Sequence, residues 1–148
     1  MPSEEYQTVV EEVIKNNEYL GLATADGEEP WLAPIEYIYD ESGDFYFFST
    51  TSSRHVEHME TNDTVAVAIW DEHQPEYDSD LSASLNGVQI RAKASRVPED
   101  EYPEAIVAGI EAFDLPIPPY AVYKLEPQRI YVPIIDDGVN KRVEVDLD

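Results

Sequence analysis

Short runs in which apolar residues recur at every second position, punctuated by turn signals, dominate this chain and leave it few folds to choose from. The plainest is Val88 to Ser95: Val88, Ile90, Ala92 and Ala94 alternate with Gln89, Arg91, Lys93 and Ser95. Successive strand side chains point to opposite faces, so this period predicts a strand with one buried face. Leu20 and Leu22 alternate with Gly21 and Ala23 up to Asp26-Gly27, a hairpin signal. From Trp31 to Tyr39 the odd positions are Trp, Ala, Ile, Tyr and Tyr. Asp40 to Asp44, with Ser42-Gly43, reads as a second hairpin connection into a strand over Phe45–Ser49. Thr64–Trp70 is apolar at both parities and is expected to be a central strand buried on both faces. Further strands are predicted over Tyr120–Leu125, Arg129–Ile135 and Val143–Leu147, with Asp137-Gly138 turning into the last.

Helical spacing is confined to a few places. Tyr6, Val9, Val10, Val13, Ile14 and Asn17 mark an amphipathic helix over 3–17 with Ser3 as N-cap. A short helix opens at Arg54. Another spans 100–113, with Pro103 in its first turn and Ile106, Val107, Ile110 and Phe113 on one side. The polar 72–86 stretch reads as a loop, lid or flap, and Leu115–Pro119 as a connector. Consecutive strands joined by tight turns pair antiparallel, so the fold class is mainly β, a curled or closed barrel with peripheral helices. Residues 1–148 carry no internal repeat and no second-domain boundary, and 43% hydrophobic content suffices for a core.

Charge narrows the partners. There are 32 acidic residues against 9 basic ones, a net charge of −23, spread over the whole chain. Nucleic-acid binding needs a basic footprint, which such a chain does not offer. Evenly spread acid with only four lysines favours a halophilic protein in a salt-rich cytoplasm, as in halophilic archaea, over an ordinary acidic protein. No apolar run approaches the ~20 residues of a membrane span, and the acidic MPSEEYQ start lacks a signal peptide's pattern. A cytoplasmic location is expected. Without cysteine there are no disulfides, thiolate metal sites or cysteine nucleophiles.

Chemistry concentrates between Pro34 and Asp71. Ser49, Thr50, Thr51, Ser52 and Ser53 run into Arg54 and His55 at a helix start. Short hydroxyl donors, a fork-shaped cation and first-turn amides together suit a phosphate; an ordinary capped helix with Arg54 on a surface carboxylate is the plainer alternative. Gln89, Arg91 and Lys93 share one strand face, either around an anion or solvated among surface acids. The aromatics Trp31, Tyr37, Tyr39, Phe45, Tyr46, Phe47, Phe48 and Trp70 supply core or subunit-interface material, and one or two are candidates to pack on a ring. His55 and His58 lie one helical turn apart, but no third ligand converges, so a solvated helix face is expected and no metal site. No side chain stands out as general acid or base.

Three segments, LGLATADGEEPWLAPIEYIYD, DFYFFSTTSSRHVEHMETNDTVAVAIWD and GVQIRAKASRV, resemble the pyridoxamine 5'-phosphate oxidase-like, FMN-binding split-barrel family. The likeness covers residues 5 to 98, with a looser fit beyond, and leans toward the general-stress-protein branch. It implies a six-stranded antiparallel split barrel that forms a homodimer with FMN at the subunit interface. It implies that Ser53, Arg54 and His55, helped by Ser49 or Thr50, hold the phosphate. Pro34, Ile35, Glu36 and Tyr37 would border the isoalloxazine, and Gln89 or Arg91 would reach the flavin. The activity so implied is that of a small oxidoreductase with a small-molecule electron donor or acceptor. Family alternatives are an F420 (deazaflavin)-dependent reductase and a non-enzymatic cofactor-binding or stress protein. The chain ends in GVNKRVEVDLD, without the family's arginine-rich substrate segment, so vitamin B6 oxidation is not expected.

The charge generates a direct prediction. Screening shortens the range of repulsion from about 10 Å at 0.1 M salt to about 3 Å at 1 M. The urea midpoint is therefore expected to rise along a potassium chloride series; a flat or falling midpoint would contradict the halophilic reading.

Overall fold

The computed structural model describes residues 2–71, 83–84, 86–113 and 120–146. Most of the polar 72–86 segment, the 115–119 connector and Leu147 lie outside the described residues. The elements are α1 (Pro2–Asn16), β1 (Tyr19–Ala25), β2 (Pro30–Glu36), β3 (Ile38–Tyr39), β4 (Phe45–Thr50), α2 (Arg54–Thr61), β5 (Thr64–Trp70), β6 (Ala83–Ser84), β7 (Gly87–Arg96), a 3-10 turn (Glu99–Glu101), α3 (Glu104–Phe113), β8 (Tyr120–Asp136) and β9 (Val139–Val145). The strands form one antiparallel sheet ordered β2-β1-β5-β7-β8-β4-β3, with β6 and β9 also on β8.

The two ends of that order come from a single stretch of chain. β2 pairs with β1 from Tyr19↔Glu36 to Ala25↔Pro30, whereas β3 pairs with β4 through Ile38↔Tyr46 and Tyr39↔Phe45. Tyr37, between them, turns its N–H to the Glu18 carbonyl at 2.9 Å. The sequence pattern Trp31–Tyr39, continuous in its alternation, is thus broken at Tyr37 because the chain changes neighbours there. Passing from one sheet edge to the other curls the sheet into a split barrel, the mainly β fold the pattern implied.

Inside lie Leu20, Leu22, Phe45, Phe47, Ile69, Leu125 and Val132, and α1 adds Val10, Val13 and Ile14. The last four carbonyls of a helix lack intrahelical partners. In α1 two are met by side chains: Asn17 Nδ2 donates to Val13 O (2.8 Å) and the Tyr37 hydroxyl to Ile14 O (2.6 Å). β8 and β9 are joined by Asp137-Gly138, both at positive φ (51° and 75°), as a two-residue primed turn requires.

Four expectations change. The strands predicted at 120–125 and 129–135 are one strand, β8. Opposite it, Arg91 pairs with Arg129 and Ala92 with Pro127, so Gln128 is an extra residue, and this bulge lets the strand run on through Pro127. β5 is central but buried on one face only: Val65, Val67 and Ile69 point inward, while Ala66 is exposed and Trp70 is 61% exposed. Ser3 lies within α1, which begins at Pro2. The 100–113 helix is a 3-10 turn followed by α3, since the residue before Pro103 is disfavoured from helical conformation; Val107 is exposed. Among the described residues, no helix is long and apolar enough to cross a membrane.

Burial pushes the Tyr37 phenol up to about 12 from its ordinary 10, aided by Asp71 and Glu18. A raised phenol favours the neutral native form, so its contribution is intact below pH 10 and lost as pH rises toward 12. Tyr37→Phe is expected to cost about 1 kcal/mol near neutrality. Urea melts from pH 8 to 12 should show that difference shrinking; a constant difference would contradict it.

Candidate functional site

β4 carries the chain from core to cavity. Phe45 and Phe47 point into the barrel, and Tyr46 and Phe48 point the other way, toward the small apolar cluster of Val97, Ile106 and Val122 under α3. Between this face, the 34–38 segment and α3 lies a cavity of about 730 Å³. Pro34, Ile35, Glu36, Tyr37 and Ile38 form one wall; Phe48, stacked on Tyr120 at 5.1 Å and nearly parallel, forms another. Ala105, Ile106, Gly109 and Ile110 of α3 form a third.

The polar end is built by the β4–α2 turn. Ser49 Oγ, Ser53 Oγ and His55 Nε2 form a triangle: 3.2 Å between the serines, 3.0 Å from Ser49 to His55 and 3.1 Å from Ser53 to His55. Both hydroxyls also donate to the Thr50 carbonyl, at 3.1 and 3.2 Å. A hydroxyl has one proton to give, so with both engaged the imidazole Nε2–H is left as donor to the serine oxygens. Ser53 sits at the N-cap of α2, and its carbonyl accepts the Glu57 N–H at 3.1 Å. Its hydroxyl makes no capping bond. The first-turn amides of α2 therefore have neither an intrahelical acceptor nor the serine cap expected from sequence. The free amides of the α2 N-terminus, beside hydroxyls that can turn from the Thr50 carbonyl, enable one end of the apolar cavity to receive an anion.

Both histidines are buried, which corrects the solvated face expected for them. α2 turns His55, Val56, His58 and Met59 inward, so helical spacing places both imidazoles on the packed side. They serve different partners: His58 Nδ1 lies 3.0 Å from Thr24 Oγ1, and Nε2 is 3.7 Å from Asp26 Oδ2, tying α2 to β1. Among the described residues, no group of three metal-ligating side chains converges.

The cavity brings together Pro34, Ile35, Glu36, Tyr37, Ser49, Thr50, Ser53 and His55. Arg54, Gln89 and Arg91 lie elsewhere. Arg54 points away from the cavity, with Nη1 2.6 Å from Glu29 Oε1 and its guanidinium 4.5 Å over the Trp31 ring. Gln89 and Arg91 lie on the outer sheet face, around a separate hollow of about 330 Å³ with Gly21, Ala23, Ala66, Ala68 and Arg142. Sequence reasoning missed the α3 wall and Tyr120, which are far from the Ser-Arg-His string; only their apolar character was visible.

The sequence model of the family described as pyridoxamine 5'-phosphate oxidase matches residues 6–132. The chain belongs to that family. A search of curated proteins gives no match. Among solved structures, one from Clostridium acetobutylicum, a protein related to general stress protein 26 of B. subtilis and of the pyridoxinephosphate oxidase family, is 15% identical, with 97% of this chain and 96% of that one covered and a TM-score of 0.63. A FAD-binding protein from Mesorhizobium loti is 16% identical, with 92% of each chain covered and a TM-score of 0.57. An F420 reductase is 15% identical, with 81% of this chain and 94% of that one covered and a TM-score of 0.58. At these identities the likeness is one of fold. A shared fold does not by itself assign a function.

Burial depresses the His55 imidazole below its ordinary 6.5, keeping it neutral near pH 7. A depressed imidazole binds its proton in the unfolded chain first, so stability falls as pH drops below 6.5. His55→Gln should lose this part of the acid sensitivity. Denaturant melts of both proteins between pH 7.5 and 5 test it; parallel pH profiles would remove the assignment.

Proposed function

We propose that this protein binds FMN in the 730 Å³ cavity and works as a small flavin-dependent oxidoreductase. The observation that carries this reading is the union, in one cavity, of an anion-receiving end and broad apolar walls contributed by separate segments. Its volume falls within the range of about 300–1,000 Å³ usual for cofactor sites. Ser49, Ser53 and His55, with Thr50 beside them, would hold the phosphate with the α2 amides. Pro34 to Tyr37 and Phe48 would border the ring. Bound flavin supplies hydride or electron transfer; the chain supplies orientation and exclusion of water. Arg54, turned away from the cavity and paired to Glu29, does not hold the phosphate in this reading.

In this reading the protein is a homodimer. Leu32 (68% exposed), Trp70 (61%) and Tyr19 (59%) make the outer face of β2, β1 and β5 apolar and open. A second copy covering that face would bring Gln89 and Arg91, on the adjoining β7, into an interface. Sedimentation should give a dimer for the wild type and a monomer for Leu32→Glu; a monomeric wild type would overturn this part.

FMN is expected to bind with submicromolar affinity and a perturbed visible spectrum. Charge-assisted hydrogen bonds are worth about 1.5–3 kcal/mol, so Ser49→Ala/Ser53→Ala should weaken FMN at least about tenfold while leaving riboflavin, which lacks the phosphate, nearly unchanged. Titration with FMN, riboflavin, F420 and haem decides. Unaltered FMN affinity in the double variant would remove the phosphate assignment. F420 or haem binding without FMN binding would replace the reading.

A further inference from the structure

Gly109 occupies the interior of α3, where glycine is the poorest residue short of proline. Three ordinary reasons for a helix glycine are absent. It has no positive φ, so the backbone does not demand it. Among the described residues, a Cβ built there would meet no atom within 4 Å, so no close approach of another described segment demands it. It is the sixth residue of a ten-residue helix, so it is not a C-terminal stop. Instead it faces the 730 Å³ cavity, one turn after Ala105, which faces it as well. On either side Ile106 and Ile110 anchor the helix to the apolar cluster beneath. The cavity therefore has one wall of α3 with two large anchors and two residues that project almost nothing.

We infer that Gly109, with Ala105, sets the width of the aromatic ring the cavity admits. The inference rests on the FMN reading for the identity of the ligand. Its physical content is separate: at this position, volume is withheld for a ligand at a cost in helix stability. Across the cavity, the Phe48–Tyr120 stack and the 34–38 wall are fixed by strand pairing, since Phe48 is paired to Val122 and Thr50 to Tyr120. α3 is the wall that can be narrowed without disturbing the barrel. The anion end, at Ser49, Ser53 and His55, belongs to different elements and is indifferent to this width.

Three variants test the inference: Gly109→Ala, Gly109→Leu and Gly109→Gln. Each is followed by thermal melting, FMN titration and displacement of FMN by inorganic phosphate. Gly109→Ala is expected to melt above the wild type, because a better helix former enters free space. Gly109→Leu and Gly109→Gln are expected to melt no lower than the wild type, to lose at least tenfold in FMN affinity, and to bind inorganic phosphate as before. A lower melting point for Gly109→Ala would show that packing requires the glycine, and would overturn the inference. Wild-type FMN affinity in folded Gly109→Leu and Gly109→Gln would overturn it too, as would unfolding of both, which would mean that the position has no room. A wild type that binds no FMN removes the functional reading and this inference together, an outcome distinguishable because it appears before any variant is made.

Discussion

The change of strand partners at Tyr37 is the constraint on which the rest of the structure depends. A single segment supplies β2 to one edge of the sheet and β3 to the other, so the sheet must curl. The same residue closes the barrel end: its N–H bonds Glu18 and its hydroxyl bonds Ile14 at the end of α1. Its ring packs edge-on against Phe45 at 5.3 Å. A backbone switch, a helix cap and a core contact meet in one residue. That residue also lines the candidate cavity, so the wall holding a ring would be as rigid as the barrel itself.

The cavity's polar end illustrates how local geometry redirects a familiar motif. A serine at an N-cap normally spends its hydroxyl on the helix amides. Ser53 spends it on Thr50 and His55, and the amides are left for another acceptor. His55 is kept neutral by burial, so the serine–imidazole cluster carries no charge of its own, while Glu18 and Glu36 also line the cavity. In a chain of net charge −23, the nearby cation, Arg54, is already claimed by Glu29. Hydrogen bonding and the helix terminus, more than Coulomb attraction, would then carry recognition of a phosphate.

Much of the fold was legible because period-two alternation is a local property. β1, β4, β5 and β7 fall close to where the pattern puts them, and Asp137-Gly138 turns where its conformational preference requires. The failures share a cause. Two strands were expected across 120–135, but a bulge at Gln128 lets one strand run through Pro127, which cannot itself donate to the ladder. β5 looked doubly buried because its composition is apolar, although burial on its second face depends on what covers that face. His55 and His58 looked solvated because histidine is polar; their spacing with Val56 and Met59 held the contrary signal.

By itself, the sequence determined the antiparallel β class, the family, and a string of hydroxyls, arginine and histidine at a helix start. Those follow from residue identity and near-neighbour spacing, which need no knowledge of distant contacts. Only the tertiary structure decided which of them share a site. Ser49, Ser53 and His55 meet because a turn folds them onto one another, whereas Arg54, their immediate neighbour, is turned outward by the helix and held by Glu29. The α3 wall, some fifty residues further along, becomes part of the cavity only because Ile106 and Ile110 seat it there. Which side chains face a common space is a consequence of packing, and packing is settled by the whole chain at once.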